Sequence, residues 1–350
     1  MRAFRPLLAV AAVAIGCVFG LALAEGAARV VAPHWREYSS ARFTALETVA
    51  GVGTFAVGRP GFDGYFAQND GNFRVRVRLN EAGHRNAEPP AAANGRIWVL
   101  GDSFTFGWGV AAGEMYSAVL GRAAAAPVYN VSAPGGDVRN YRRLLAQMPK
   151  GALPRLVVVG LTIENDLIDY GESAPAEPES SSPRNTPPRS FKQWWAENSA
   201  LYNLAAVAAK KSEFFRAILA KAGIVAPVHD VRAAPEAQTA RKLAESTADE
   251  IVRLRDGLAP GTPVVVLAIP ARFEFLAPQS GWVELRKAVV GALAARNVPV
   301  VDPTAAIAEA GFAATHFPHD GHWSARGHEL AGRALAAWIS TSMPVARIPQ

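Results

Sequence analysis

The chain has 350 residues, half of them apolar, which suffices for one sizeable α/β domain with attachments and excludes a collagen-like, coiled-coil or disordered main state. The formal net charge of +6 is carried mostly by scattered arginines, with no block of five or six like charges, so it reads as a solvated basic surface and no nucleic-acid partner is expected. The single cysteine, Cys17, rules out an intrachain disulfide.

At the start of the chain, Arg2 and Arg5 precede an almost unbroken apolar run from Pro6 to Ala24. At about 1.5 Å per helical residue such a run nearly crosses a hydrocarbon core of roughly 30 Å. The positive flank puts the start in the cytoplasm and the body of the protein outside. The run can be an uncleaved anchor, which its length favours over a signal core of about 7 to 15 residues. It can also be a signal peptide cut after Ala22-Leu23-Ala24, or a degenerate lipobox around Cys17. Each fate gives a location in a bacterial-type cell envelope, facing the periplasm or exterior, or secretion if the segment is removed.

Residues 26–94 read as a stalk and packing segment without strong periodicity until Phe73, Val75, Val77 and Leu79 alternate with Arg74, Arg76 and Arg78, the pattern of a strand with one buried face. The arginine face is expected to be solvated, with anion binding as the functional alternative. Asn80 to Asn94, with Gly83, Pro89 and Pro90, is a loop. From residue 95 to about 345 short β-rich runs alternate with amphipathic stretches. The runs are Ile97 to Leu100, Val128 to Val131, Leu156 to Val159, Val264 to Ala268 and Val298 to Val301; the stretches lie near 113–123, 138–148, 236–258, 281–296 and 324–340. This alternation predicts βαβ units and a three-layer α/β/α domain around a central parallel, flavodoxin-like sheet. An insertion at 171–235 begins with a Pro-, Ser- and Glu-rich loop over 171–190. It continues through Trp194-Trp195 into an apolar helical pattern that could act as a lid, lean on a membrane, or pack on the core.

In an open parallel sheet, ligands gather beyond the carboxyl ends of the strands. Gly101-Asp102-Ser103-Phe104 closes the first strand of the domain, and Thr105 stands where the nucleophile elbow of α/β-hydrolases would need a second glycine. His319-Asp320-Gly321-His322-Trp323-Ser324 precedes the final helix. A serine hydroxyl becomes a competent nucleophile when a base takes its proton, and the base works best with a carboxylate fixing its tautomer. Ser103, His322 and Asp320 are the residues that fit these parts.

Together these sites resemble the SGNH/GDSL hydrolase superfamily, whose blocks occur in order from Arg96 to about Ile339. Gly101 to Phe104 matches the first block. Asn130-Val131-Ser132-Ala133-Pro134-Gly135-Gly136 matches the second, with Gly135 at the glycine whose N–H enters the oxyanion hole. Gly160-Leu161-Thr162-Ile163-Glu164-Asn165-Asp166 matches the third, with Asn165 as side-chain donor, and Asp320-Gly321-His322 the last. The resemblance implies a serine esterase-type hydrolase acting on acyl, especially O-acetyl, esters of a small molecule or carbohydrate. Ser103 is then the nucleophile, His322 the base, Asp320 the acid, and the Ser103 and Gly135 N–H groups with the Asn165 amide form the oxyanion hole. No metal or organic cofactor is implied. The usual acid position, three residues before the histidine, is His319 here. The shorter Asp-x-His-Trp form resembles SGNH proteins that acetylate exopolysaccharides, so O-acyl transfer is the alternative reaction. Residues 77–85, with Asn80, Gly83 and Arg85, also resemble membrane-anchored bacterial members.

Two rival readings leave residues unexplained. A zinc site built on His316, His319, Asp320 and His322 gives Ser103, Gly135 and Asn165 no role. A non-catalytic glycan-binding module makes the nucleophile, base and donors a coincidence. Asp102 and Asp166 are expected to shape turns by bonding local backbone groups.

Overall fold

In this computed structural model the described residues are 4–49, 53–68, 72–168, 191–211, 232–318 and 320–343, with isolated helical positions between 214 and 221. The loop expected at 171–190 and His319 lie outside them. In chain order the elements are α1 (Phe4–Val31), β1 (Thr44–Val49), β2 (Gly53–Gly58), β3 (Asp63–Ala67), β4 (Arg74–Arg78), β5 (Ile97–Leu100), α2 (Ser103–Phe106), α3 (Tyr116–Ala123), β6 (Val128–Asn130), α4 (Val138–Ala146) and β7 (Leu156–Thr162). There follow α5 (Phe191–Asn198), α6 (Ala200–Lys211), α7 (Ala237–Asp256), β8 (Val264–Ile269), α8 (Phe273–Leu276), α9 (Trp282–Ala295), β9 (Val300–Val301), α10 (Thr304–Ala310), α11 (Phe312–Thr315) and α12 (Ala325–Ser342). They fall into two units: Met1–Arg42, Phe66–Gly71 and Pro188–Pro227 form one, and Phe43–Tyr65, Asn72–Pro187 and Val228–Gln350 the other.

The larger unit is built on a five-stranded parallel sheet ordered β6-β5-β7-β8-β9. Counted within the sheet, that is the order 2-1-3-4-5 of flavodoxin-like folds, whose ligand crevice opens at the carboxyl ends of the strands where the winding reverses, between β5 and β7. The strands are continuous apolar runs because both faces are covered. Trp98, Leu100, Val157, Val159, Val264 and Val266 point into a core closed by Tyr141 and Leu144 of α4, Ala248 and Ile251 of α7, and Val289 and Leu293 of α9. Ile97, Val99, Leu156, Val158, Val265 and Leu267 point the other way, against Tyr116 and Leu120 of α3 and Ala331, Leu335 and Ile339 of α12. β9 is a two-residue edge strand entered through Pro299, whose carbonyl still accepts from Val266 N at 2.9 Å.

Outside this sheet, β1 and β2 pair antiparallel and β3 pairs with β4. On β4, Val77 is buried while Arg74, Arg76 and Arg78 are exposed. Arg76 grips Asp63 with two hydrogen bonds of 2.7 and 2.8 Å, and Arg74 lies 4.0 Å over the Tyr65 ring, so two of the three arginines already have partners.

In the smaller unit α1 carries an apolar stretch, Val10–Val31, that is long enough to cross a membrane and is exposed over most of its length, Ala28 near its end being buried. Ala28, Trp35 and Ala200 form a small core there, with Tyr38, Leu201 and Leu204 packed on it.

Candidate active site

The crevice at the carboxyl ends of β5, β6 and β7 gathers the sequence blocks. The chain leaves β5 through Gly101 and turns at once into α2. Asp102 is its N-cap, accepting from Phe104 N at 3.0 Å, and Ser103 is its first residue. A side chain at Gly101 would run into Thr105 and come within 2.9 Å of the Gly160 carbonyl; one at Gly160 would meet the Tyr116 hydroxyl at 2.6 Å. This close packing of β5 on β7 brings the Ser103 turn and the third block together. Thr105, the residue that departs from the α/β-hydrolase elbow, sits in this packing with its hydroxyl 2.8 Å from Tyr116 Oη.

Ser103 Oγ lies 2.8 Å from His322 Nε2, across 219 positions of sequence. His322 Nδ1 is hydrogen-bonded to Asp320 Oδ1, which also accepts from His322 N at 3.2 Å. Asp320 and His322 therefore sit on one turn, made possible by Gly321 at φ +83°, a conformation that favours glycine. Gly135, at φ +75°, lies in the loop after β6, which is tied to the nucleophile turn where Ala133 N donates to the Gly101 carbonyl at 3.2 Å. Asn165, in the turn after β7, donates through Nδ2 to Asp102 Oδ2 at 3.2 Å. One hydrogen of that amide is thus engaged and the second is free to act elsewhere.

Electrostatics set the protonation states. Burial works against an ionised Asp320, but the His322 charge, the hydrogen bonds from the His322 ring and backbone, and the Trp108 indole N–H outweigh it and hold the carboxyl below its usual range. Burial also works against a charged His322, and here the Asp320 charge, its hydrogen bond and the charge of Asp102 win, raising the imidazole above its ordinary value. Asp102 itself is fully buried and raised by that burial, against the opposing pull of His322, Asn165 and the Phe104 N–H. Asp166 is raised much further by burial, with repulsion from Asp102 adding to it; one of its oxygens accepts from both Tyr141 Oη and Thr162 N at 2.6 Å. Both aspartates cap local turns as their sequence positions suggest, and Asp102 in addition holds Asn165.

Several contacts around the site go beyond the roles that the sequence blocks assign. Phe104 and Trp108, four positions apart, flank the His322 ring at centroid distances of 4.9 and 5.6 Å, and Phe104 meets Trp323 edge-on. Arg272 forms an ion pair with Glu164 at 2.9 Å and donates to the Asp320 carbonyl at 3.1 Å, bridging the turn after β7 to the turn that holds the acid and base. A Cβ at Gly321 would come within 2.7 Å of the Arg272 side chain. Asn130 donates to the Thr105 carbonyl at 2.8 Å, fixing the end of β6 to α2. The buried Arg85 donates to the carbonyls of Phe106, Gly107 and Val110. Burial lowers its guanidinium to about 10. Only the i, i+4 spacing of Phe104 and Trp108 beside Ser103 could have been seen in the sequence; the partners of Arg272 and Arg85 lie too far along the chain.

Among the described residues no three His, Cys, Asp or Glu side chains gather as a metal site. His316 is buried, stacks on Phe312 at 4.3 Å and hydrogen-bonds Thr315 Oγ1 at 2.9 Å, and burial depresses it to about 3.

Residues 99–330 match the GDSL-like Lipase/Acylhydrolase family. No curated protein matches the sequence. Similar solved structures include a member of the lipolytic G-D-S-L family from Veillonella parvula, at 11% identity and a TM-score of 0.39 over 71% of this chain and 98% of that one. A second is a carbohydrate esterase family 2 enzyme with a carbohydrate-binding domain from Corynascus thermopiles, at 14% identity and a TM-score of 0.39 over 86% and 87%. The family match spans most of the larger unit's sheet and both ends of the serine–histidine pair, and on it the chain belongs to the GDSL-like lipase/acylhydrolase family, as an ester-hydrolysing enzyme of the SGNH/GDSL type.

Proposed function

We propose that the chain is a serine esterase in which Ser103 is the nucleophile, His322 the general base and Asp320 the acid, with the N–H groups of Ser103 and Gly135 and the Asn165 amide as oxyanion hole. The observation that carries this reading is the 2.8 Å contact between Ser103 Oγ and His322 Nε2, with Asp320 on the far nitrogen of the same ring. A carboxylate at Nδ1 selects the tautomer that keeps its proton there, leaving Nε2 as the acceptor for the serine proton. As Ser103 Oγ attacks the ester carbonyl, His322 takes that proton and then passes it to the leaving alcohol oxygen. In the second half of the cycle water gives a proton to His322 and its oxygen attacks the acyl-enzyme, releasing the acid and restoring the serine. Each donor to the tetrahedral oxyanion is worth on the order of 3 kcal/mol.

The substrate class is an acyl ester, and an O-acetyl ester on an extracytoplasmic carbohydrate is the form proposed. The protein is held at the cell envelope by α1, with the catalytic unit outside the cytoplasm. The test is hydrolysis of p-nitrophenyl acetate by the full chain in detergent, with Ser103→Ala and His322→Ala each expected to lower kcat by on the order of 10⁴-fold or more. Full activity in Ser103→Ala would refute the assignment. Adding a polysaccharide acceptor to the same assay separates hydrolysis, which yields free acid, from transfer, which yields acylated acceptor.

A further inference from the structure

The smaller unit contains a carboxylate in an unexpected place. Glu25 lies on α1 just beyond the apolar run from Pro6 to Ala24, and its half-buried carboxylate bonds to the protein's own groups. It accepts from Ser199 Oγ at 2.8 Å and from Ala200 N and Leu201 N at 2.9 Å each, and so caps the N-terminus of α6. Arg29, one turn further on, bonds Glu25 at 2.8 Å and donates to the Asn198 carbonyl, the last residue of α5, at 3.0 Å. Behind these bonds Ala28, Trp35 and Ala200 close a small core. The junction of α5 and α6 is thereby fixed to α1 at one level, that of residues 25–29.

That level has a meaning if α1 is an anchor. Glu25 and Arg29 are charged and fall within the Val10–Val31 stretch, so the crossing is taken as the uncharged run from Pro6 to Ala24, which rises about 28 Å as a helix, the thickness of a hydrocarbon core, and brings residue 25 out at the headgroups. Interfacial positions favour aromatic rings with one apolar and one polar end, and Lys and Arg beside anionic lipid. Trp194 and Trp195, on α5 within about a turn of Asn198, are 48% and 38% exposed, at a ring separation of 5.1 Å. Asn198 Nδ2 donates to the Trp194 carbonyl, so the tryptophan turn is bonded to the residue that Arg29 holds. Phe214 and Ile218 further along the insertion are exposed as well. The sequence from 191 to 221 carries Lys192, Lys210, Lys211, Arg216 and Lys221 against Glu197 and Glu213.

We propose that α5 and α6 form a membrane-interface collar around the exit of α1, with Trp194 and Trp195 seated among the headgroups and upper acyl chains of an anionic bilayer. The proposal rests on the anchor reading given above, and it adds that the insertion binds lipid. A chain cut after Ala24 would start at Glu25, placing a new ammonium group on the residue that caps α6.

The test uses the full chain in vesicles of phosphatidylcholine and phosphatidylglycerol with bromine on the upper acyl chain, reading tryptophan fluorescence, together with the intact mass of protein taken from membranes. Of the chain's eight tryptophans, Trp35, Trp98, Trp282 and Trp323 are buried, which leaves few that lipid could reach. The expected result is retention of α1 and bromine quenching that is mostly lost in Trp194→Phe/Trp195→Phe. A Glu25→Gln variant is expected to show faster amide exchange at residues 199–202. A mature chain beginning at or after Glu25 would overturn the anchor reading and the collar with it. An intact chain whose quenching is unchanged by the double substitution would overturn the collar alone, as would crosslinks from position 194 to a protein and none to lipid.

Discussion

Replacing Asp102 with Asn separates two roles that the wild-type carboxylate combines. Asn is as good an N-cap as Asp, so the bond from Phe104 N is kept and α2 is not expected to fray. The bond from Asn165 Nδ2 is harder to keep, because the new side chain offers an NH2 where there was a carboxylate oxygen, and two donors face each other. Asn165 then has reason to turn, and the proposed oxyanion hole loses some or all of a donor worth on the order of 3 kcal/mol, which corresponds to a kcat reduced by about 10- to 150-fold. Stability should move the other way. The folded-state pKa of Asp102 is raised by burial, so the ionised side chain weakens the fold as pH rises above the ordinary carboxyl value, and the neutral amide removes that cost. Asp102 also helps to raise His322, so its removal shifts the acid limb of kcat/KM to lower pH. The assay is p-nitrophenyl acetate turnover from pH 5 to 9 beside a thermal melt. A variant with wild-type kcat and an unmoved acid limb would refute the claim that Asp102 acts through Asn165 and His322.

Three further outcomes test the surroundings of His322. The wild-type acid limb of kcat/KM should lie above 6.5, because the histidine must be neutral to act as base and its pKa is raised. In Asp320→Asn that limb should fall while kcat drops by about 10⁴-fold, since the amide no longer selects the required tautomer; a pH–rate profile checks both. Trp108→Ala removes a ring stacked on His322 that also helps to hold Asp320 below its usual range, and a kcat lowered by up to about tenfold with KM little changed is expected in steady-state kinetics.

The central sheet was legible because its strands are buried on both faces and so appear as unbroken Val, Ile and Leu runs, each followed by a turn and an amphipathic stretch. Ser103, expected at the break after the first strand of the sheet, and His322 with Asp320, expected in the loop before the last helix, lie together in the structure, because the chain's end folds back over the carboxyl edge of the sheet. The pair β1–β2 was hidden because Thr44-Ala45-Leu46-Glu47-Thr48-Val49 does not alternate as a half-buried strand should. Glu47 is buried, and Leu46 is at the surface. The acid is tolerated inside because Arg143 of α4, itself largely buried, is bonded to it, an arrangement no local pattern encodes. The bridge from Arg272 to Glu164 and Asp320 is equally nonlocal. Arg74, Arg76 and Arg78 show the limit from the other side: the sequence identified an arginine face, while Asp63 and Tyr65 as its partners emerged only with the pairing of β3 and β4.

The attachment of Arg85 to the backbone of the nucleophile segment bears on where this enzyme can be trimmed. The family match begins at residue 99, yet three carbonyls just past the serine take their hydrogen bonds from a side chain that lies upstream of it. Asn86 is bonded in both directions to the backbone of Asn130, and Asn80 to the hydroxyl of Tyr129. An expression fragment designed on the matched region alone would take the Arg85 donors away from those carbonyls and unpin the end of β6, so a fragment intended to fold on its own should reach back at least to Asn80.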